Sequence, residues 1–134
     1  KLLAVLCGNS LGVLATIKRD GRPQLSNVSY WFDKQKLTIQ ASVTEERAKT
    51  RNLRQRPRAG VLVLSDEWND AWVQIDGEAE VLDVPEALDG FVEYFRNISG
   101  EHPDWEEYRA AMVRDKRLMF SMAVDHAYGM PAPA

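Results

Sequence analysis

The chain has 134 residues, of which 45% are hydrophobic and 28% are charged. These proportions are typical of globular proteins and argue against intrinsic disorder, and the length predicts one domain over residues 1–134. The single cysteine, Cys7, excludes an internal disulfide or a cysteine-rich zinc site. Because no apolar run is long enough to span a bilayer, we expect a cytoplasmic protein without a membrane partner.

In chain order, the hydrophobic pattern predicts a short helix over residues 1–7, six strands and three further helices. The strands are expected at residues 11–18, 23–32, 36–42, 59–64, 71–84 and 118–124, and the later helices between residues 42 and 57 and at 86–98 and 103–114. Tight turns separate several strands, as at Asp20-Gly21. Short strands with few helices predict a mainly β fold, a small β-barrel with appended helices.

The positive charge is concentrated in one segment, residues 47–58. This segment has six cations and no acidic residue, although the whole chain has a net charge of −3. Because the rest of the chain is acidic, we interpret the segment as a local anion-binding site and expect no nucleic-acid partner. The six cations are Arg47, Lys49, Arg51, Arg54, Arg56 and Arg58.

Helical geometry divides this segment into two sides. Lys49 and Asn52 would lie on one side of a helix, and Arg51 and Arg54 on another. The first turn of a helix attracts anions through its free N–H groups and its dipole. We therefore expect Arg47, at that first turn, and the side with Lys49 and Asn52 to hold the anion. A solvated basic helix face is the alternative that the charge pattern leaves open.

The remaining candidates are tryptophans and histidines. Trp72 falls on the strand face opposite Val73, where it is either a core residue or an aromatic wall for a planar ligand or a dimer partner. Trp68, in a polar loop, has the same alternatives. His102 and His126 have no partner at metal-ligand spacing, so no metal site is expected. No nucleophile or acid–base pair is identifiable. The catalytic residues are therefore unknown, and chemistry supplied by a bound cofactor is favoured.

Six short segments, in order along essentially the whole chain, carry a family resemblance. They are Gly12-Val-Leu-Ala-Thr-Ile, Asp20-Gly-Arg-Pro-Gln-Leu-Ser-Asn-Val, Arg47-Ala-Lys-Thr-Arg-Asn-Leu-Arg, Arg56-Pro-Arg-Ala, Tyr94-Phe-Arg-Asn-Ile-Ser-Gly-Glu-His and His126-Ala-Tyr-Gly. With these segments the chain resembles the pyridoxamine 5'-phosphate oxidase-like split β-barrel proteins. Within that family it is most similar to the actinobacterial branch that binds the deazaflavin coenzyme F420.

The resemblance implies a homodimer with two cofactor sites at the subunit interface. It places the cofactor phosphate at the first turn of the basic helix and the ring along the third strand, with further contacts from the partner subunit. The residues that it assigns are Arg47, Ala48 and Lys49 with the neighbouring Asn52 for the phosphate, Gln40 and Ser42 for the ring and side chain, and Trp68, Trp72 and Val73 from the partner.

The implied activity is that of an F420-dependent oxidoreductase. Such an enzyme transfers a hydride from the reduced deazaflavin to an electron-poor conjugated small molecule, such as an enone, a quinone or a tetrapyrrole. One alternative is an FMN-dependent oxidoreductase on the same barrel, since FMN also carries a phosphate. A second alternative is a non-enzymatic carrier or sensor of F420.

Overall fold

The computed structural model describes residues 2–44, 47–65, 70–83 and 86–131. Its helices are α1 (Leu2–Cys7), α2 (Ala48–Gln55), α3 (Leu88–Ser99) and α4 (Trp105–Arg114). Its strands are β1 (Leu11–Ile17), β2 (Pro23–Asp33), β3 (Thr38–Thr44), β4 (Arg58–Leu64), β5 (Trp72–Leu82), β6 (Arg117–Ala123) and β7 (His126–Met130). Trp68, one of the expected cofactor residues, lies outside the described residues. None of the described helices has the length and apolar character needed to cross a bilayer.

Six of these strands close into an antiparallel barrel. Their order is β4-β1-β2-β3-β6-β5, and a further pairing between β4 and β5 completes the ring. Short turns join β1 to β2 and β2 to β3, as the turn signals in the sequence indicate. The prediction of a mainly β fold, a small barrel with appended helices, is confirmed.

The end of the chain differs from its prediction, because a seventh strand follows the sixth. Strands β6 and β7 pair one after the other with β5: Met122 lies opposite Ala79, and His126 lies opposite Asp76. The change of register by one residue marks a β-bulge between them. Gly77 makes room for this bulge, since a Cβ atom there would overlap the carbonyl oxygen of Ala123. The pattern of alternating residues is interrupted at the bulge, which is why the sequence did not predict β7.

The barrel interior holds the main hydrophobic core, and α1 and α2 reach it at opposite ends of β1. From α1, Leu6 is buried in this core, and its carbonyl oxygen accepts a hydrogen bond of 2.8 Å from Tyr30 Oη. From α2, Leu53 is buried in the same core. Alternate residues of every barrel strand point inward, as the period of a strand requires.

Helices α3 and α4 pack together on the outer wall of the barrel. Phe91 of α3 and Tyr108 of α4 form a second cluster with Met119, whose side chain points outward from β6. Tyr108 Oη donates to the carbonyl oxygen of Phe91 at 3.1 Å. Tyr94 of α3 donates to the carbonyl oxygen of Ser29 in β2 at 2.7 Å, which fixes the helix across the outside of that strand.

Candidate anion-binding site

The basic segment forms α2, and the start of this helix is suited to an anion. Arg47 is the N-cap residue with an extended backbone, no side chain of the described residues caps the helix, and its first turn contains no acidic residue. The positive end of the helix dipole therefore has no compensating negative group in that turn. Arg47, Ala48 and Lys49, which were predicted to hold the phosphate, all lie at this helix start.

The end of β3 holds α2 in place. The carbonyl oxygen of Thr44 accepts hydrogen bonds from Thr50 Oγ1 at 2.6 Å and from the backbone N–H of Arg47 at 3.3 Å. Thr50 is fully buried. The Thr44 carbonyl therefore anchors the start of α2, and this contact sets where the first turn of the helix lies.

Further along α2, Asn52 faces the barrel rather than the helix start. Its Nδ2 donates to Thr16 Oγ1 at 3.1 Å, and the Thr16 hydroxyl donates to Gln24 Oε1 at 3.2 Å. Arg56 is anchored beside it, with Nε 2.9 Å from the carbonyl oxygen of Ile17. The Asn52 amide therefore has a hydrogen-bond partner in the barrel. The expected contact of Asn52 with a phosphate stays a prediction, and this geometry does not support it.

Lys49 is half-buried at the start of α2 and has two cationic neighbours. Burial lowers its pKa, and the positive charges of Arg47 and Arg117 lower it further. Arg117 is the first residue of β6 and lies directly opposite Thr44, the last residue of β3. The side chains of these three cations have no hydrogen bond or ion pair with the described part of the chain. The site therefore gathers positive charge from two separate elements.

Gln40 and Ser42 lie on the outer face of β3, together with Thr44. Trp31 and Ser121 flank Gln40 on the neighbouring strands. Three buried side-chain oxygens of the described residues lack a hydrogen-bond partner, and two of them, Gln40 Oε1 and Thr44 Oγ1, belong to this face. Buried acceptors without partners are uncommon in folded proteins. A ligand with N–H or O–H groups at Gln40 or Thr44 would satisfy them, whereas Ser42, between the two, lies opposite Met119, which is buried beneath α3 and α4.

The structure separates Trp72 and Val73 from the basic residues. Trp72 begins β5, whose other end, Leu82, pairs with Met119 near the start of β6, so Trp72 lies at the opposite end of the strand. Its half-buried indole is on the outer face, edge-on to Tyr128 with ring centroids 6.1 Å apart. Val73 is fully buried in the core. Contact between these residues and a cofactor would therefore need a second copy of the chain, and Val73 would have only its backbone to offer.

Sequence reasoning did not identify Arg117 or the two tyrosines near it. Burial raises the pKa of Tyr94, and it raises that of Tyr108 to about 12, while the positive charge of Arg117 lowers both to a smaller extent. Both phenols are therefore neutral at physiological pH. Arg117 is distant in sequence from Arg47 and Lys49, and only the register between β3 and β6 brings it to them.

In the single chain Arg47 is exposed, whereas Lys49 and Arg117 are half-buried. Three clefts of about 440, 650 and 710 Å³ open elsewhere on the described surface, and none of the three is lined by Arg47, Lys49 or Arg117. Among the described residues, no group of three or more histidine, cysteine or acidic side chains is arranged to hold a metal ion. The described site offers cations, amides and neutral hydroxyls, which are groups that bind and orient an anionic ligand.

Comparison with known families gives one match over nearly the whole chain. The model of the family described as pyridoxamine 5'-phosphate oxidase matches residues 1–130. This range includes all the elements described above.

Solved structures with the same fold extend this comparison. A conserved hypothetical protein from Mycobacterium tuberculosis is 24% identical, with a TM-score of 0.78 over 96% of this chain and 81% of that one. A structure described as an F420 reductase is 18% identical, with a TM-score of 0.72 and coverage of 93% and 94%. An FAD-binding protein from Mesorhizobium loti is 19% identical, with a TM-score of 0.71 and coverage of 96% and 90%. At these identities the likeness concerns the fold.

Proposed function

Since the chain belongs to the pyridoxamine 5'-phosphate oxidase family, we propose that it is a cytosolic oxidoreductase that binds the deazaflavin coenzyme F420. It would transfer a hydride from the reduced cofactor to an electron-poor conjugated small molecule. One observation carries the proposal: Arg47, Lys49 and Arg117 gather at an uncapped helix start without a carboxylate partner among the described residues. A phosphate is the anion that such a site fits best.

The choice of F420 over FMN rests on the family branch that the sequence resembles. The fold is shared with an F420 reductase and equally with an FAD-binding protein, so it does not distinguish the two cofactors. The many arginines along α2 give only weak support for F420 over FMN. Arg54 pairs with Asp83 at 3.0 Å, and Arg56 donates to the carbonyl oxygen of Ile17. These guanidinium groups already have partners within the chain, so a long anionic cofactor tail is not needed to compensate them.

A bound deazaflavin would supply two-electron hydride chemistry, and the protein would supply position and shielding. The start of α2 would fix the phosphate, and the outer face of β3 would align the rest of the ligand through Gln40 and Ser42. Tyr94 and Tyr108, whose pKa values are raised by burial, would stay protonated and hold α3 in place by donating to the carbonyl oxygens of Ser29 and Phe91. With no proton donor to the substrate identified, water is the proposed proton source.

A homodimer is part of this proposal because one face of the barrel is apolar and uncovered. The outward side chains of β1, β2, β4 and β7 include Leu11 and Leu25, which are 69% and 62% exposed. Leu64, Tyr128 and Met130 extend the same face. Exposed apolar patches of this kind are typical of protein interfaces. A second copy on this face would also provide the wall that the cationic site lacks.

Titration of the apoprotein with F420 and, separately, with FMN tests the proposal. We expect F420 to bind and Lys49→Ala to weaken binding by about 1–3 kcal/mol, the scale of a hydrogen bond to a charged group. Lys34→Ala, in the exposed turn between β2 and β3, is the matched control and should leave the dissociation constant unchanged. An unchanged constant in Lys49→Ala would refute the role of Lys49.

The same titrations separate the alternatives. Binding of FMN without F420 would replace the proposal by an FMN-dependent enzyme, and binding of neither cofactor would overturn both. Oxidation of reduced F420 in the presence of enones, quinones and tetrapyrroles then tests turnover. Tight F420 binding without turnover on any of these acceptors would indicate a carrier or sensor.

A further inference from the structure

We infer that Arg117 is a third cationic ligand of the phosphate site and reaches it from β6, outside the basic segment. The inference rests on the proposed function, because it adds a ligand to the same site. It also places the anion between the start of α2 and the ladder formed by β3 and β6, rather than on the solvent side of the helix.

The pairing register of β3 and β6 shows where the Arg117 side chain points. Arg117 lies opposite Thr44, and side chains of directly opposed residues project to the same side of a sheet. On β6 the buried Leu118 points into the barrel, so Arg117 points outward, as Met119 two residues on does. Arg117 therefore shares the outer face with Ser42 and Thr44. Because the Thr44 carbonyl also anchors the start of α2, the two strands and the helix meet at this point.

The electrostatic surroundings of Arg117 agree with this placement. Its charge acts on Lys49 of α2, on Tyr94 of α3 and on Tyr108 of α4, and it lowers the pKa of each. Arg47, the other cation at the site, also acts on Lys49. Arg117 therefore lies within electrostatic reach of three separate helices, and Lys49 at the helix start is one of the groups it acts on.

Arg117 also differs from the arginines of the neighbouring helices. Arg96 pairs with Glu93 at 2.9 Å, and Arg109 pairs with Asp89 at 2.9 Å. Arg117 has no such partner among the described residues. A half-buried cation close to another cation is unfavourable unless an anion compensates both. A bound phosphate would provide that compensation, and arginine suits it because its planar fork donates two parallel hydrogen bonds.

The first test measures the dissociation constants of F420 and FMN with Arg117→Gln. We expect binding of the accepted cofactor to weaken about tenfold or more, as for loss of a charged hydrogen bond, and its dependence on salt concentration to become shallower. Arg117→Lys should recover part of the affinity. Arg109→Gln, which removes an arginine of α4 that is paired with Asp89, is the matched control and should bind as the wild type does.

A second readout uses the wild-type protein and does not depend on a variant that folds. The Nε–H resonance of Arg117 in an NMR spectrum should shift on addition of the cofactor that binds, while that of Arg109 should not. In folded Arg117→Gln, the pKa of the Lys49 ammonium should rise because a neighbouring positive charge is gone. A wild type that binds neither cofactor contradicts the proposed function itself. A wild type that binds one cofactor, with no Arg117 shift and no loss in Arg117→Gln, overturns only the inference.

Discussion

At the scale of single residues, Lys49 lowers the folding stability of the protein when no anion is bound beside it. Its pKa is lowered first by burial and then by Arg47 and Arg117, so the folded chain disfavours the protonated form relative to the unfolded chain. The cost in folding stability is therefore absent above the unfolded pKa of about 10.4, builds up as pH falls towards the lowered folded pKa, and is constant below it. A bound anion beside the ammonium group would stabilise protonated Lys49 and so raise the pKa that its cationic neighbours lower.

This reversal predicts how cofactor affinity depends on pH. Binding of a phosphate favours protonated Lys49, so affinity should be highest when Lys49 is already charged and should fall as pH rises through its lowered pKa. The decline should therefore begin below the pH at which an ordinary lysine titrates. Dissociation constants measured from neutral pH up to the alkaline range in which an ordinary lysine titrates provide the check. Lys49→Arg is the control, since arginine stays charged throughout this range. Equal pH profiles for the two proteins would contradict the prediction.

Of the three cations at this candidate site, the sequence predicted two. Arg47 and Lys49 stand in a run of cations without an acid, and such a run is visible without a structure. Arg117 follows Asp115 and Lys116 and has no distinguishing pattern. Its place beside Lys49 follows from the pairing register of two strands, which depends on the whole barrel and is not set by local sequence.

At the scale of elements, α2 is oriented by contacts with the barrel more than by its own sequence. It has eight residues, and helices of this length are marginal in isolation. Thr50 and Leu53 are buried, and Asn52 hydrogen-bonds Thr16. These contacts turn one side of the helix to the barrel and leave Lys49 near β6. The sequence predicted the helix and placed Asn52 on the ligand side, which stays a prediction, because periodicity alone does not show which side meets the barrel.

Asn52 is accordingly expected to affect stability more than binding. Asn52→Ala removes the donor to Thr16 and should lower the free energy of unfolding by about 1–3 kcal/mol, because it leaves a buried polar group with one partner fewer. Cofactor affinity of the folded variant should change less than in Lys49→Ala. Urea denaturation and cofactor titration measure the two quantities. Gln55→Ala, an exposed amide on the same helix, should leave both nearly unchanged. A stable Asn52→Ala variant with lost affinity would instead restore Asn52 as a ligand.

The strands were predicted closely, and the short turns indicated that β1 pairs with β2 and β2 with β3, but the other pairings were not predicted. Alternation located β1, β2 and β4 to within about two residues, because burial of one face imposes a period of two. The bulge before β7 breaks that period, and Gly77 gives no sign in the sequence that it accommodates the Ala123 carbonyl. Strand register and bulges depend on contacts between distant segments. The hydrophobic alternation therefore predicted neither the full strand order nor the approach of Arg117 to Lys49.

At the scale of the whole molecule, helices cover only part of the outer surface of the barrel. Helices α3 and α4 pack over β6 and β2, whereas β1, β4 and β7 leave large apolar side chains exposed in the single chain: Leu11, Leu64, Tyr128 and Met130. The uncovered face carries Trp72 and Tyr128 edge-on to each other. A single chain would thus present a cationic site outside the described clefts and an open apolar wall, and the proposed homodimer would close both with the same contact.

A charge placed on the apolar wall tests this arrangement. Leu25→Glu puts a carboxylate on a side chain that is 62% exposed on the outer face of β2, where a dimer interface would have to bury it at substantial cost. We expect light scattering after size-exclusion chromatography to show a dimer for the wild type and a monomer for Leu25→Glu. Val113→Glu is the control, because Val113 is 51% exposed on α4, away from this face.

Cofactor titration of the same variants separates a dimer interface from a site that depends on it. If the second copy completes the cofactor pocket, monomeric Leu25→Glu should bind the cofactor more weakly even though Arg47, Lys49 and Arg117 are intact, and Val113→Glu should bind as the wild type does. Full affinity in a monomer would show that one chain suffices for binding. A wild type that is itself monomeric at the concentrations used for binding would remove the dimer from the proposal and leave the anion site of the single chain in place.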